Sequence, residues 1–216
     1  EILRDKFIKE YNKNPTTDYL INFEKLQVDV LDGSVDLVNI SIVPKDSLVT
    51  FKSNLEQTNT PNVYLEIHID KISLSNFDYA PALASRKISI EQFEITNPEV
   101  HIFRYIDIPD PKPTSQDTVD LRSIFLTNFD SLLVSLADIN NAQINFFNVN
   151  LSKDTTKVFG ITNLNYQITK VMIHKNSLLK APFVEFKKDF LRSENVSVNI
   201  SNKATVKLGS IEFDSE

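Results

Sequence analysis

Ile95-Thr-Asn-Pro-Glu-Val-His-Ile-Phe103 decides the architecture, because the chain repeats it 44 residues later as Ile139-Asn-Asn-Ala-Gln-Ile-Asn-Phe-Phe147. The kernel is an aliphatic residue, any residue, Asn, and an apolar residue three positions on. It recurs at Leu37-Val38-Asn39 with Ile42, at Leu74-Ser75-Asn76 with Tyr79, and at Ile161-Thr162-Asn163 with Tyr166. Recurrence of a strand-like phrase points to a fold assembled by repetition and not around one catalytic centre. The apolar positions also change parity around the phrase. Ile88 and Ile90 share one face of an extended strand, Phe93 and Ile95 fall on the opposite count, and Val100 and Ile102 switch again. A period-two strand absorbs a one-residue step only through a bulge or a turn. The repeated Asn therefore marks bulges or corners in a long, curving sheet, and the pattern leaves open whether a corner is a bulge or a full reversal. Asn suits the role, since it tolerates left-handed backbone, and the chain has only three glycines, Gly33, Gly160 and Gly209.

Outward from the phrase, Ile2 to about Tyr11 reads as a helix within residues 1–14. Leu3, Phe7, Ile8 and Tyr11 recur at helical spacing, and Asn14-Pro15 ends the run. Such a helix either caps the end of a sheet or lies against a bilayer as the tail of a membrane anchor. Leu26, Val28 and Val30 alternate with polar residues up to Asp32-Gly33, a tight hairpin turn, and Val35, Leu37, Ile40 and Ile42 return as the partner strand. Leu48, Val49 and Phe51 mark a short strand in a polar stretch. Val63 to Leu74 alternates cleanly, and residues 79–85 read as a helical turn or loop. Residues 107–117 carry Pro109, Pro111 and Pro113 and read as a surface loop, with a sub-boundary near residue 110. The repeated phrase spans this loop, which favours one elongated β-rich domain over residues 1–216. A short helix follows from Asp117 to roughly Asn128. Strands resume over residues 142–151, 158–173, 183–186, 196–200 and 206–213. The expected fold is mainly β: a long, curved, mostly antiparallel sheet of gutter or taco shape, with an N-terminal helix and one or two further short helices.

Composition narrows the function. The 216 residues are 41% hydrophobic and 24% charged, an ordinary globular balance. A net charge of -6 and a pI near 5.2 argue against nucleic acid as a partner, because phosphate binding needs a basic field. Cysteine is absent, which excludes disulfides and thiolate metal sites. No stretch approaches the length of a membrane span. The chain starts at Glu1 without Met, which leaves a removed signal or membrane anchor open.

Catalysis finds little support. His68, His101 and His174 sit inside alternating stretches without a neighbouring carboxylate pattern and read as solvent-facing strand residues. Three isolated glycines form no phosphate-cradling loop, and Asp107 and Asp110 lack the oxygen ladder of a calcium loop. The expectation is a non-enzyme with no catalytic residue, no metal site and no cofactor. The aromatic and aliphatic strand residues carry more. Alternation alone admits two structures: a sandwich core, or a sheet bent into an open trough whose inner face holds acyl chains. The trough candidates are Ile88, Ile90, Phe93, Ile95, Val100, Ile102, Ile144, Phe146, Tyr166 and Ile168.

The phrases themselves resemble a known family. Leu26-Gln-Val-Asp-Val-Leu-Asp-Gly-Ser-Val-Asp-Leu-Val-Asn-Ile-Ser-Ile42 looks like the opening repeat of AsmA-like envelope proteins. Ile88 to Ile102 and Leu133 to Phe146 resemble their recurring strand phrase, and the likeness covers about residues 20 to 213. The opening phrase is also similar to the amino-terminal region of bridge-like lipid transfer proteins. The resemblance implies a gutter-shaped sheet with an apolar inner face and a periplasmic body held by an N-terminal inner-membrane anchor. It further implies a role in lipid handling or phospholipid transport between membranes. The implied partners are lipid acyl chains and other envelope proteins. The alternative is a structural or protein-interaction module of an envelope complex, with edge strands that pair with a partner strand.

Overall fold

The computed structural model describes residues 2–13, 18–45, 63–78, 84–107, 130–150, 152, 154–174, 184–185, 188–194, 197–200 and 204–214. One helix, α1 (Ile2–Lys13), precedes β1 (Tyr19–Asp29), β2 (Ser34–Pro44), β3 (Val63–Ser75), β4 (Lys87–Tyr105), β5 (Ser131–Val149) and β6 (Thr155–His174). Five shorter strands follow: β7 (Val184–Glu185), β8 (Lys188–Glu194), β9 (Ser197–Ile200), β10 (Ala204–Lys207) and β11 (Ser210–Asp214). All eleven belong to one sheet, ordered β1-β2-β3-β4-β5-β6-β8-β11, with β7 and β9 also on β6 and β10 on β9. The sheet is open, since β1 and β11 end the order, and every pairing but one is antiparallel. The chain is thus mainly β, as its alternation implies, and its described strands form one sheet, not a two-sheet sandwich.

The exception explains the repeat. β4 and β5 are parallel, and each pairing from Lys87 with Ser131 to Tyr105 with Val149 joins residues 44 apart. The duplicated phrase is therefore two adjacent strands in register, with Ile95 beside Ile139 and Phe103 beside Phe147. Parallel neighbours need a long crossover, which the chain between Tyr105 and Ser131 provides. β5 begins at Ser131, earlier than the Ala142 that alternation alone marks, because β4 pairs with it over that whole length. The strand at Leu48–Phe51, the loop beyond Asp107 and the helix over 117–128 lie outside the described residues, as does most of 79–85.

All five phrase asparagines adopt left-handed backbone: Asn39 (φ 52°), Asn76 (52°), Asn97 (50°), Asn141 (56°) and Asn163 (60°). They are corners. Phe23 pairs with Ile40 and Lys25 with Val38, so Asn39 faces Glu24 with no residue inserted. Ile69 with Pro98 and Lys71 with Thr96 bracket Asp70 and Asn97 in the same way. Only between β5 and β6 does the register slip, at Ile139/Ala142, Ala142/Ile144 and Phe146/Phe147. Each corner sets two successive residues on the polar side and returns the next residue to the apolar side. This is how one face stays apolar through each change of parity.

The corners align across the strands as two creases. The first runs through Glu24, Asn39, Asp70, Asn97, Asn141 and Asn163. Its side chains are exposed and laddered. The Asn39 amide donates to Glu24, Asn97 to Asp70 Oδ2 at 2.6 Å and Asn141 to Asn97 Oδ1 at 2.8 Å, while the Asn141 N–H donates to Asn165 Oδ1 at 2.7 Å. The second runs through Gly33 (φ 60°), Asn76, Glu91, Ser135 and Lys170 (φ 55°), with the Asn76 amide donating to Glu91. From Glu91 to Asn97 along β4 the creases stand about 20 Å apart at 3.3 Å per residue.

The β1 edge is closed by α1. The Asn12 side chain bonds both main-chain groups of Ile21, each at 2.9 Å, and Arg4 donates to the Glu24 carbonyl. Phe7 packs on Phe23 with ring centroids 6.0 Å apart. These bonds satisfy edge groups that would otherwise recruit another strand. The β1–β2 turn is held by Asp29 Oδ1, which accepts from the N–H groups of Leu31 and Asp32 at 2.9 and 3.1 Å.

Two substitutions test these constraints. A Cβ on Gly33 would stand 2.8 Å from the Phe77 carbonyl oxygen at a positive φ, so Gly33→Ala is expected to lower stability by at least ~1 kcal/mol, read from the urea midpoint. At Asn97, Asn97→Gly should leave the midpoint nearly unchanged, whereas Asn97→Val should cost ~1–2 kcal/mol through its left-handed backbone.

Candidate functional site

The pairings build apolar rows that cross the whole sheet. In the block beyond the first crease, Ile21, Ile42, Ile67, Val100, Ile144, Ile161, Val198 and Val206 are successive partners. Between the creases, Leu26, Leu37, Ile72, Ile95, Ile139, Tyr166, Leu191 and Phe213 are likewise successive. Eight strands at ~4.8 Å spacing make each row about 34 Å long. Aliphatic and aromatic partners opposite one another each add roughly 0.2–1 kcal/mol to the sheet, so the rows hold the strands together as well as surfacing them.

The ten sequence candidates fall into three blocks of this face. Val100 pairs with Ile144 and Ile102 with Phe146; Ile95 reaches Tyr166 through Ile139, and Phe93 reaches Ile168 through Ala137. Ile88 and Ile90 lie past the second crease against Leu132 and Val134. Ile90 is 7% exposed, whereas Phe146 is 40% exposed. Among the described residues seven aliphatic and aromatic side chains other than proline are buried, and of these Phe23, Ile40, Ile90 and Val134 belong to this face. Most of the face is therefore half-buried, one layer of side chains over one sheet. The earlier list omits the β1–β3 members and Leu191 and Phe213, which carry the same alternation in shorter runs.

The opposite face of the middle block is polar. Asn140 donates to Glu94 at 2.7 Å, Gln167 and Gln92 donate to Asp138 at 2.8 and 3.3 Å, and Lys71 pairs with Asp36 at 3.0 Å. At its far end the same face turns aromatic. Tyr64, Phe103 and Phe147 stack at centroid distances of 4.8 and 5.0 Å, with Tyr105 and Val149 buried beside them. Burial is the main cause that pushes the Tyr64 phenol far above its ordinary range, with Tyr105 and Glu66 adding to it. His68 is exposed, as its strand position implies. His101 is not solvent-facing: it lies edge-on to Phe103 and Phe147 and bonds Glu99 at 2.7 Å. Glu99 and His101, two apart on one strand, necessarily share a face, so this contact was readable in the sequence. The side chain of His174 lies outside the described residues.

On the apolar face, one acid interrupts the aliphatic rows. Asp189 of β8 pairs with Ile168, and Tyr166 donates its hydroxyl to Asp189 Oδ2 at 2.9 Å. Desolvation first, then this bond, raise the Tyr166 phenol above its usual value. No helix among the described residues is long and apolar enough to cross a membrane. Comparison of the chain with family models and with curated proteins finds no match.

The aromatic end predicts a pH dependence. The folded-state pKa of Tyr64 lies above its unfolded value of about 10, so its neutral phenol supports the fold below that value and the contribution is lost as pH rises. The urea midpoint should start to fall as pH rises past about 10 and go on falling above it, and Tyr64→Phe should flatten that fall.

Proposed function

We propose that this chain is a non-enzymatic lipid-handling protein whose apolar sheet face carries the acyl chains of membrane lipids. One observation supports the reading above all. Apolar side chains stand in register on eight successive strand paths, on a face left half-buried by a single open sheet. A solvated face of that extent is costly, because hydrocarbon leaves water at roughly 25 cal/mol per Å². An acyl chain laid on it gains ~0.8 kcal/mol per methylene relative to water, but little relative to a bilayer. Lipid taken from a membrane is thus held without being trapped, which is what carriage between two membranes requires. The resemblance to AsmA-like and bridge-like lipid transfer proteins points the same way, towards a periplasmic body at the inner membrane.

A second reading draws on the sheet edges. α1 closes the β1 edge, while β11 pairs with β8 alone among the described residues and shows Phe213 56% exposed. A partner strand added there would make the chain an interaction module of an envelope complex.

Extraction and mass spectrometry of the purified protein separate the two. The lipid reading expects co-purifying phospholipid. Phe146→Asp, at an already exposed position, should reduce it roughly tenfold, ~1.4 kcal/mol, and Gln27→Asp on the polar face should leave it unchanged. Lipid-free protein with a stoichiometric protein partner would favour the second reading.

A further inference from the structure

The polar face carries a pocket beside the first crease. Across β5 and β6, Ile139 pairs with Tyr166 and the next pair is Ala142 with Leu164, so Asn140 and Asn141 stand against Asn165 alone. Two residues against one make a bulge, which bends the strand and re-aims side chains. On its other side β6 pairs with β8 over residues 166–169 and with β9 over residues 159–162, and among the described residues no strand pairs with 163–165 there. The ladder is thus interrupted on both sides of Asn165. A pocket of about 290 Å³ opens at this point, lined by Asp138, Asn140, Asn165, Gln167, Phe190 and Arg192.

The lining side chains are held by bonds that leave part of each one unused. Asp138 accepts from Gln167 at 2.8 Å and from Gln92 at 3.3 Å, one amide on each oxygen, and no cation pairs with it among the described residues. A carboxylate offers about four acceptor positions, so it retains two. Asn140 donates to Glu94 at 2.7 Å and keeps its Oδ1, while Asn165 Oδ1 accepts from the Asn141 N–H at 2.7 Å and its Nδ2 donors remain. Gln167 keeps its Oε1. Phe190 adds a half-buried ring opposite Gln167. One carboxylate and one guanidinium leave the lining neutral as a whole.

Donors and acceptors interleaved beside an aromatic ring, without net charge, match a neutral ligand dense in hydroxyls. Each hydroxyl donates and accepts at once, and two adjacent hydroxyls engage both atoms of a planar carboxylate or amide together. One face of a pyranose ring is made of C–H bonds and seats on the electron-rich face of a phenyl ring. We infer that this pocket binds a neutral sugar, its adjacent hydroxyls on Asp138, Asn140 and Asn165 and its C–H face on Phe190. The apolar rows lie on the opposite face, so the sugar site stands or falls apart from what they carry. The competing occupant is a free amino acid, with its ammonium on Asp138 and its carboxylate on Arg192.

The test titrates the isotope-labelled full chain with the methyl glycosides of glucose, galactose, mannose and N-acetylglucosamine, and with leucine as the zwitterion. A glycoside of about a dozen heavy atoms, at the efficiency usual for small ligands, binds at about 1 mM. At least one of the four should shift the side-chain amide signals of Asn140, Asn165 and Gln167 and saturate in that range. Asn165→Asp keeps the acceptor for Asn141 and removes the donors, so it should weaken binding about fivefold with the urea midpoint nearly unchanged. Phe190→Ala should weaken binding about tenfold. No glycoside that shifts these amides, or an affinity that neither substitution lowers, overturns the sugar site. Saturation by leucine and by no glycoside assigns the pocket to a zwitterion and overturns it equally.

Discussion

A strand that alternates strictly cannot turn a corner and keep the same residues on the same side. The whole sheet depends on how this chain escapes that constraint. At Asn39 and Asn97 a left-handed residue breaks the alternation by one step without adding a residue to the ladder, and at Asn141 and Asn163 the same backbone accompanies a register slip between β5 and β6. Two polar side chains then face outward in succession, and the next apolar residue returns to its original side. Asn is suited to this because its short side chain tolerates positive φ and finds hydrogen-bond partners close by. Here those partners are the neighbouring strands' own acids and amides, Glu24, Asp70 and Asn97. The corner residue of one strand thus binds the corner of the next.

That lateral bonding turns separate corners into creases. A left-handed residue on one strand alone would pull it out of pairing with its neighbours. Matching corners on β2, β3 and β4 leave the ladder intact on both sides, so Ile40 still meets Ile69 and Leu37 still meets Ile72. The two parallel strands show the principle most plainly. A phrase copied at a fixed spacing, paired in register, puts Asn97 beside Asn141 and gives the crease its continuity. Where the register does slip, between β5 and β6, the corner shifts with it.

The same geometry organises the surface. Apolar residues lie on one side in rows that cross the strands, polar residues lie on the other, and a single sheet leaves the apolar side half-open. A sandwich would have met it with a second sheet, and the chain builds none among the described residues. What distinguishes the face chemically is the β8 band, where Asp189 and Ser193 occupy positions that pairing with Ile168 and Ile211 would otherwise make aliphatic. The lipid-carrying function proposed above needs no reactive group, only the half-open apolar side.

The amino-acid sequence determined the local grammar. Parity steps at Glu91 and Asn97, the repeated Asn, the Asp32-Gly33 turn and the helix before Asn14 are short-range signals, and each reads correctly because backbone preference and alternation act over a few residues. Ten members of the apolar face were legible for the same reason. Tertiary structure decided everything that depends on which strand lies beside which. Only pairing shows that the two copies of the phrase are parallel neighbours, that β5 starts at Ser131, and that the corners line up. Only the register of β8 against β6 places Asp189 on the apolar side, since Lys188-Asp189-Phe190 taken alone gives an acid no reason to face either way. Strand pairing joins residues far apart in the chain, and no local preference carries that information.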